Sequence, residues 1–349
     1  MAQDDSPRSR RASGRATMAD VARLAGVSAM TASRALRGAA SVDVELAARV
    51  RAAAEKIGYV PDPAARALAS QRSSHVAVLI PSLTNRLFVD LLEAAQRALR
   101  AAGYQTLVGI THYDAAEEEQ LVREQLLHRP AGILLTGLAQ NAATRRLLAA
   151  QRLPCVHMME TPDAAAGTAL GDACSVGFSQ FDAAAALTRH LLERGRRRIA
   201  FAAAQLDPRT LARLAGWRAT LEAAGRYDAR LEWRDAAASS VALGARLFGQ
   251  IRAQRPAVDA IFFNNDDLAH GALLAALREG VAVPDQLAVV GFNDLPESAW
   301  TRPALTTVRT PRAAIGERAA ELLLARLRGE TPAPAHLDLG FELMLRESG

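Results

Sequence analysis

The residues whose types and spacing most clearly carry chemistry lie at 28–34, SAMTASR. If this stretch is helical, Ala32, Ala35 and Leu36 share the face that packs on a core. Ala29, Met30, Ser33 and Arg34 then point outward. An outward guanidinium pairs bidentately with a guanine edge, and Ala29 and Met30 suit contact with a thymine methyl. That is the chemistry of reading a duplex. Thr17, Met18, Ser28 and Thr31, at the starts of two short helices, are expected to complete the face toward DNA. A second set lies downstream, in segments 82–88, 137–141, 157–160, 205–213, 264–267 and 293–296. These hold Asn, Asp, Arg and single aromatics, side chains that hydrogen-bond hydroxyls and stack on a sugar face. Ser82, Asn85 and Phe88 are the candidates in the first of them.

The elements that must position the first set are legible. Thr17 with Asp20 three residues on is a helix start: the hydroxyl caps and the acid faces the positive helix end. Met18, Val21, Ala22 and Ala25 fall on one face. Gly26 supplies a turn with positive φ, Ser28 caps the second helix (29–37), and Gly38 stops it. Asp43 caps a third helix, with Leu46, Val50, Ala53 and Ile57 on its core side and Gly58 at its close. Two short helices about a glycine turn, packed on a third, make a helix-turn-helix. Beyond it, Pro61 and Pro63 force an extended break. Residues 64–70 then offer one short helix, marginal alone, expected to order only on DNA and against a dimer mate. Leu68 is its bulky apolar side chain: it would wedge into a minor-groove step, or rest on the body if the segment is a flexible linker.

The second set is positioned by alternating strands and helices. Strands are expected at 75–81, 104–110, 131–137, 154–159, 197–204, 258–264, 286–292 and 305–310. Such alternation means parallel sheets with helices on both faces. The number of elements calls for two similar lobes. Ligands then sit beyond the strands' carboxyl ends. The fold expected is an N-terminal all-α helix-turn-helix headpiece plus an α/β body of two doubly wound parallel-sheet lobes. The boundaries are a basic tail at 1–16, the headpiece at 17–60, a hinge at 61–73 and the body at 74–349.

Composition narrows the function. Residues 1–72 carry a net charge of +5, the charge of the whole 349-residue chain, so residues 73–349 balance to zero. A basic end on a neutral body suits phosphate binding. No stretch of eighteen apolar residues suggests a membrane span. The N-terminus lacks the apolar run of a secretory signal, so a cytoplasmic location is expected. Cys155 and Cys174 are too few for a disulfide framework and are expected as reduced core thiols. No glycine-rich phosphate loop, nucleophile elbow or metal-ligand spacing is present. No cofactor, no metal and no catalytic residue are expected.

The segments MADVARLAGVSAMTASRALRG, GYVPDPAARALAS, RLAGW (213–217), NND (264–266) and VVGFND (289–294) resemble, in order, the LacI/GalR family of bacterial repressors. The resemblance runs from Thr17 to about Leu345. IPSLTNRLF (80–88), GYQT (103–106), AQLDPRT (204–210) and HLDLGF (336–341) are similar to the branch that controls gluconate use, and to regulators of ketogluconate use. The resemblance implies a periplasmic-binding-protein-like body, a homodimer, operator double-stranded DNA with two-fold symmetry and a small-molecule effector between the lobes. Arg213 matches the family's effector-binding arginine, and Asn265 and Asp266 its Asn-Asp strand end. Asn293 stands where sugar-binding members carry an aspartate. A neutral Asn there would not repel the carboxylate of a sugar acid. Arg209, four residues before Arg213, would share its helical face and could meet the same carboxylate. Glu160 best matches the acid after the fourth strand.

The reading is a repressor that releases its operator when a sugar acid, gluconate or a ketogluconate, acts as inducer. The alternatives are a same-fold regulator of a neutral sugar or a purine, possibly a corepressor, and a sugar-binding or sugar-modifying protein. A solute-binding protein would need a signal peptide and no headpiece. An enzyme would need an acid/base pair in the cleft, and adjacent Asp266 and Asp267 do not supply one.

Overall fold

A computed structural model describes residues 16–36, 42–60, 73–162 and 172–349, and the chain divides into two compact units, 1–73 and 74–349. In the first unit α1 (Met18–Ala25), α2 (Ala29–Leu36) and α3 (Val44–Lys56) form the expected three-helix arrangement. Thr17 and Asp20 make a reciprocal capping box: Asp20 N donates to Thr17 Oγ1 at 3.3 Å and Thr17 N to Asp20 Oδ2 at 3.0 Å. Gly26 closes α1 in the left-handed conformation at φ 66°, a backbone state that disfavours any side chain with a Cβ. Asp43 Oδ1 accepts from Glu45 N and Leu46 N, capping α3. Val21, Ala22, Ala25, Ala32, Ala35, Ala47, Val50, Ala53 and Ala54 are buried together. Mostly alanine, this core lets the short helices approach closely. Gly38 and the hinge with Leu68 lie outside the described residues.

The second unit holds the sheets. Strands β1 (His75–Ile80), β2 (Gln105–Ile110), β3 (Gly132–Thr136), β4 (Cys155–Met159) and β5 (Cys174–Gly177) are parallel, and β1 sits between β2 and β3, with Val76 opposite Thr106 and Gly132. A late strand, His336–Asp338, pairs parallel to β5 and completes six. The other sheet has β6 (Ile199–Ala204), β7 (Glu232–Asp235), β8 (Ala260–Phe263) and β9 (Ala288–Val290), in the order β7-β6-β8-β9. All eight expected strands are present. Four others were not anticipated: Cys174–Gly177, Glu232–Asp235, His336–Asp338 and Glu342–Met344. They are short, and the polar EWRD carries no apolar run to announce it. Thr307–Arg309, expected within a parallel sheet, instead pairs antiparallel with Glu342–Met344 in a two-stranded ribbon.

The chain passes between the two sheet systems at 178–179, 310–311 and 339–341. The crossings are locked by aromatic packing. Phe178 stacks on Phe292 at 6.3 Å and meets Phe341 at 6.4 Å. One contiguous apolar core includes residues of both sheets, from Val76 to Phe201, Phe262 and Phe292. The helix Arg312–Leu327 returns to the first lobe and packs on Arg86–Ala101, where Gly316 leaves room for the Leu91 carbonyl. Among the described residues no helix is long and apolar enough to cross a membrane.

Candidate functional site

The first unit presents α2 as an outward face. Ser28, Ala29 and Arg34 are exposed and Met30 is 65% exposed, while Thr31 and Ser33 are half-buried. Ser28 Oγ accepts from Thr31 N at 3.1 Å and lies 2.9 Å from Thr31 Oγ1, so these hydroxyls first of all cap α2. Met18, expected toward DNA, instead packs partly buried against the headpiece core, because it shares a helical face with Val21 and Ala25.

In the second unit a cavity of about 170 Å³ opens where the first lobe's strand ends meet the start of the helix Pro208–Ala223. Asp207 caps that helix through Arg209 N at 2.9 Å, and Pro208 fits its first turn. The cap turns Arg209 into the cavity, where it is buried. Its guanidinium lies 5.7 Å from the Phe88 ring centroid and 6.0 Å from that of Tyr113, and Nε is 3.3 Å from Asp207 Oδ1. Phe88 and Tyr113 meet edge to face at 6.2 Å. Burial works against the arginine's charge, but Asp207 and Glu160 outweigh it and hold its pKa above the ordinary value.

Glu160 lines the same cavity. One of its oxygens, Oε2, accepts from Leu138 N at 2.8 Å. Burial raises its pKa against the pull of Arg209. Gly137, at φ 80°, permits the approach: a Cβ there would lie 3.0 Å from Glu160 Oε2 and 3.2 Å from an Arg209 terminal nitrogen. Glu118, from the helix Ala115–Leu127, also lines the cavity, and burial pushes its carboxyl up to about 7.

Of the residues singled out in the sequence, the cavity brings together Glu160 and Arg209, with Phe88 against the guanidinium. Asn85 stands beside Tyr113 and caps its own helix through Leu87 N at 3.0 Å. Ser82 closes a turn with Thr84. Arg213 is buried but does not line this cavity. Its Nε donates to Gln180 Oε1 at 2.8 Å, another nitrogen donates to Asn264 O at 2.6 Å, and its guanidinium lies 3.8 Å from the Phe292 centroid. Burial lowers its pKa to about 10, and the charge of Arg209 adds to the shift.

At the far lobe, three of the candidates make hydrogen bonds within the protein. Asp266 is fully buried and accepts from Leu295 N, Ser298 Oγ and Thr307 Oγ1 at 2.6–2.9 Å, so it pins the 293–298 loop and has no free face for a ligand. Asn265 caps the helix Asp266–Glu279 and pairs with Ser239. Asn293, at φ 119°, is buried and takes the Thr310 hydroxyl at 3.3 Å.

The residues not anticipated are Tyr113, Glu118, Gln140 and Asp207. The loop after β2, THYD, follows a parallel strand and so lies at a carboxyl end like the other cavity loops. Gln140 and Asp207 fall within segments 137–141 and 205–213. Glu118 gave no signal, since an acid in the first turns of a helix is common. Among the described residues, no cluster of three or more His, Cys, Asp or Glu is placed to hold a metal. Cys155 and Cys174 are buried and free.

Family models match both units: the lacI family of bacterial regulatory proteins over residues 17–62, and the periplasmic binding protein-like domain over residues 188–349. The chain is 55% identical to the HTH-type transcriptional regulator GntR of Pseudomonas aeruginosa, with 97% of each chain covered. The crystal structure of transcription regulator GntR from Chromobacterium violaceum matches with a TM-score of 0.75 at 51% identity, over 78% of this chain and 98% of that one. A LacI-family transcriptional regulator from Silicibacter pomeroyi matches with a TM-score of 0.87 at 32% identity, over 95% and 99%. A reading helix, a two-sheet body and relatives that span nearly the whole chain lead to one conclusion: this protein belongs to the lacI family and is a transcriptional regulator.

Proposed function

We propose that this regulator is a repressor that binds operator double-stranded DNA as a homodimer in the cytoplasm and releases it when a sugar acid, gluconate or a ketogluconate, enters the body. The observation that carries this reading is Arg209, buried in a cavity beside an aromatic pair and three carboxyls, Glu118, Glu160 and Asp207. A buried guanidinium with polar neighbours suits a small polyhydroxy anion. The effector set is Phe88, Glu160, Arg209 and Arg213, with Asn85 supporting. The base-reading set is Ala29, Met30, Ser33 and Arg34, with Leu68 of the hinge entering the minor groove.

One observation favours a neutral sugar instead: the cavity holds more carboxyls than cations. The pair Glu118 and Glu160 would also suit acid/base chemistry on a sugar. We read it as hydroxyl recognition, because the relatives named above are regulators. Gel shift on the DNA upstream of the gene, with gluconate, ketogluconate, neutral sugars and purines added in turn, tests the reading. Release by a sugar acid alone, with no turnover of it, is expected. Release only by a neutral sugar, or tighter binding with a purine, would replace it.

A further inference from the structure

The cavity poses a charge problem for a sugar acid. Asp114, Glu118, Glu160 and Asp207 line it, and among the described residues Arg209 is the one cation that does. All four acids are engaged. Asp114 caps a helix through Ala116 N and Glu117 N, Asp207 caps another and pairs with Arg209, and Glu160 takes Leu138 N. Glu118 accepts a hydrogen bond from the side-chain amide of Gln140. Gln140 is itself 4% exposed, lines the cavity and has an acceptor, Oε1, without a donor. A buried acceptor left without a donor is costly, so this corner calls for O–H groups. A carboxylate brings none, whereas a polyol chain brings several. The second guanidinium, Arg213, lies outside the cavity yet close enough to act on Glu160 and Tyr113.

Building on the sugar-acid reading above, we propose that the ligand binds in one direction: its hydroxyl tail enters the cavity and donates to Glu118, Glu160 and Gln140 Oε1, while its carboxylate stays toward Arg213. Glu118 is then a specificity-determining residue. It accepts monoacids with a neutral tail and rejects diacids, because a second carboxylate would meet Glu118 in a cavity where four acids already face the single guanidinium of Arg209. One such repulsion at close range is worth about tenfold or more in affinity.

Titration calorimetry on the full chain with gluconate, glucarate and sorbitol tests this. Glucarate repeats the gluconate chain with a second carboxylate on the tail; sorbitol has no carboxylate. Gluconate should bind, and glucarate should bind at least about tenfold more weakly. Glu118→Gln should narrow that gap, because the amide no longer repels. A second measurement needs no variant. The gluconate-to-glucarate ratio of the wild type should widen from pH 6 to pH 8 as Glu118 loses its proton, facing Glu160, Asp207, Tyr113 and Arg209. Equal binding of the two acids, or a ratio indifferent to both Glu118→Gln and pH, overturns the orientation while leaving the sugar-acid reading intact. No heat with gluconate, whatever sorbitol does, overturns the sugar-acid reading and the orientation with it.

Discussion

Single side chains here do either recognition or anchoring, and their partners tell which. Arg34 is exposed on the reading helix, so its removal should act on DNA alone. Arg34→Ala is expected to cost about 1–3 kcal/mol of operator affinity and relax one base position. Fluorescence anisotropy against a library of single-base operator variants would show it; an unchanged profile would remove Arg34 from the reading set. His157 is the opposite case. It is buried on β4, its Nδ1 lies 2.9 Å from Gly137 O, and burial lowers its pKa from 6.5 to about 4. The unfolded chain therefore binds the proton more readily. The contribution is complete above pH 6.5 and is lost as pH falls toward 4. Relative to His157→Gln, the wild type should gain about 3 kcal/mol of stability as pH rises across that window. Urea unfolding at pH 4.5 and 7 measures the difference, and parallel curves would refute it.

At the scale of elements, two glycine positions separate packing from propensity. Gly316 lies where the helix Arg312–Leu327 crosses Arg86–Ala101, and a Cβ there would sit 2.1 Å from the Leu91 carbonyl oxygen. Gly316→Ala should force the helices apart and destabilise by about 1–3 kcal/mol or more. Gly249, inside the helix Val241–Gln254, has nothing within 4 Å of the same added atom. Gly249→Ala should stabilise by about 0.5–1 kcal/mol through helix propensity alone. Calorimetric melting of both variants would reveal the opposite signs. Equal shifts would mean that the crossing has slack that the backbone does not show.

At the scale of the molecule, the body can respond to a ligand only if that ligand prefers one of two lobe arrangements. Moving the balance from 1:99 to 99:1 takes about 5.5 kcal/mol of preference. Arg213 is placed to supply part of it. It binds Gln180, whose amide donates to the Met159 carbonyl of the first lobe, rests on Phe292 beside Phe178, and holds the Asn264 carbonyl of its own lobe. Arg213→Ala should therefore abolish release by the effector while leaving operator affinity unchanged within about twofold, a change under 0.5 kcal/mol. A gel-shift titration reads both at once, and a retained response would detach Arg213 from the coupling.

Local signals were enough for the headpiece helices and for eight of the twelve strands. Caps such as Thr17–Asp20 and Asp43, a glycine turn and a period of 3.6 act within a few residues, and so do the apolar runs of the central strands. The site was legible only in part. Arg209 and Glu160 could be placed beyond strand ends, but three distant segments decide what surrounds them: 111–118, 137–140 and 205–209. Whether Asp266 faces a ligand or pins a loop depends on Ser298 and Thr307, far away in the chain. Burial and hydrogen-bond competition are properties of the assembled lobes, and no spacing rule along the chain reports them.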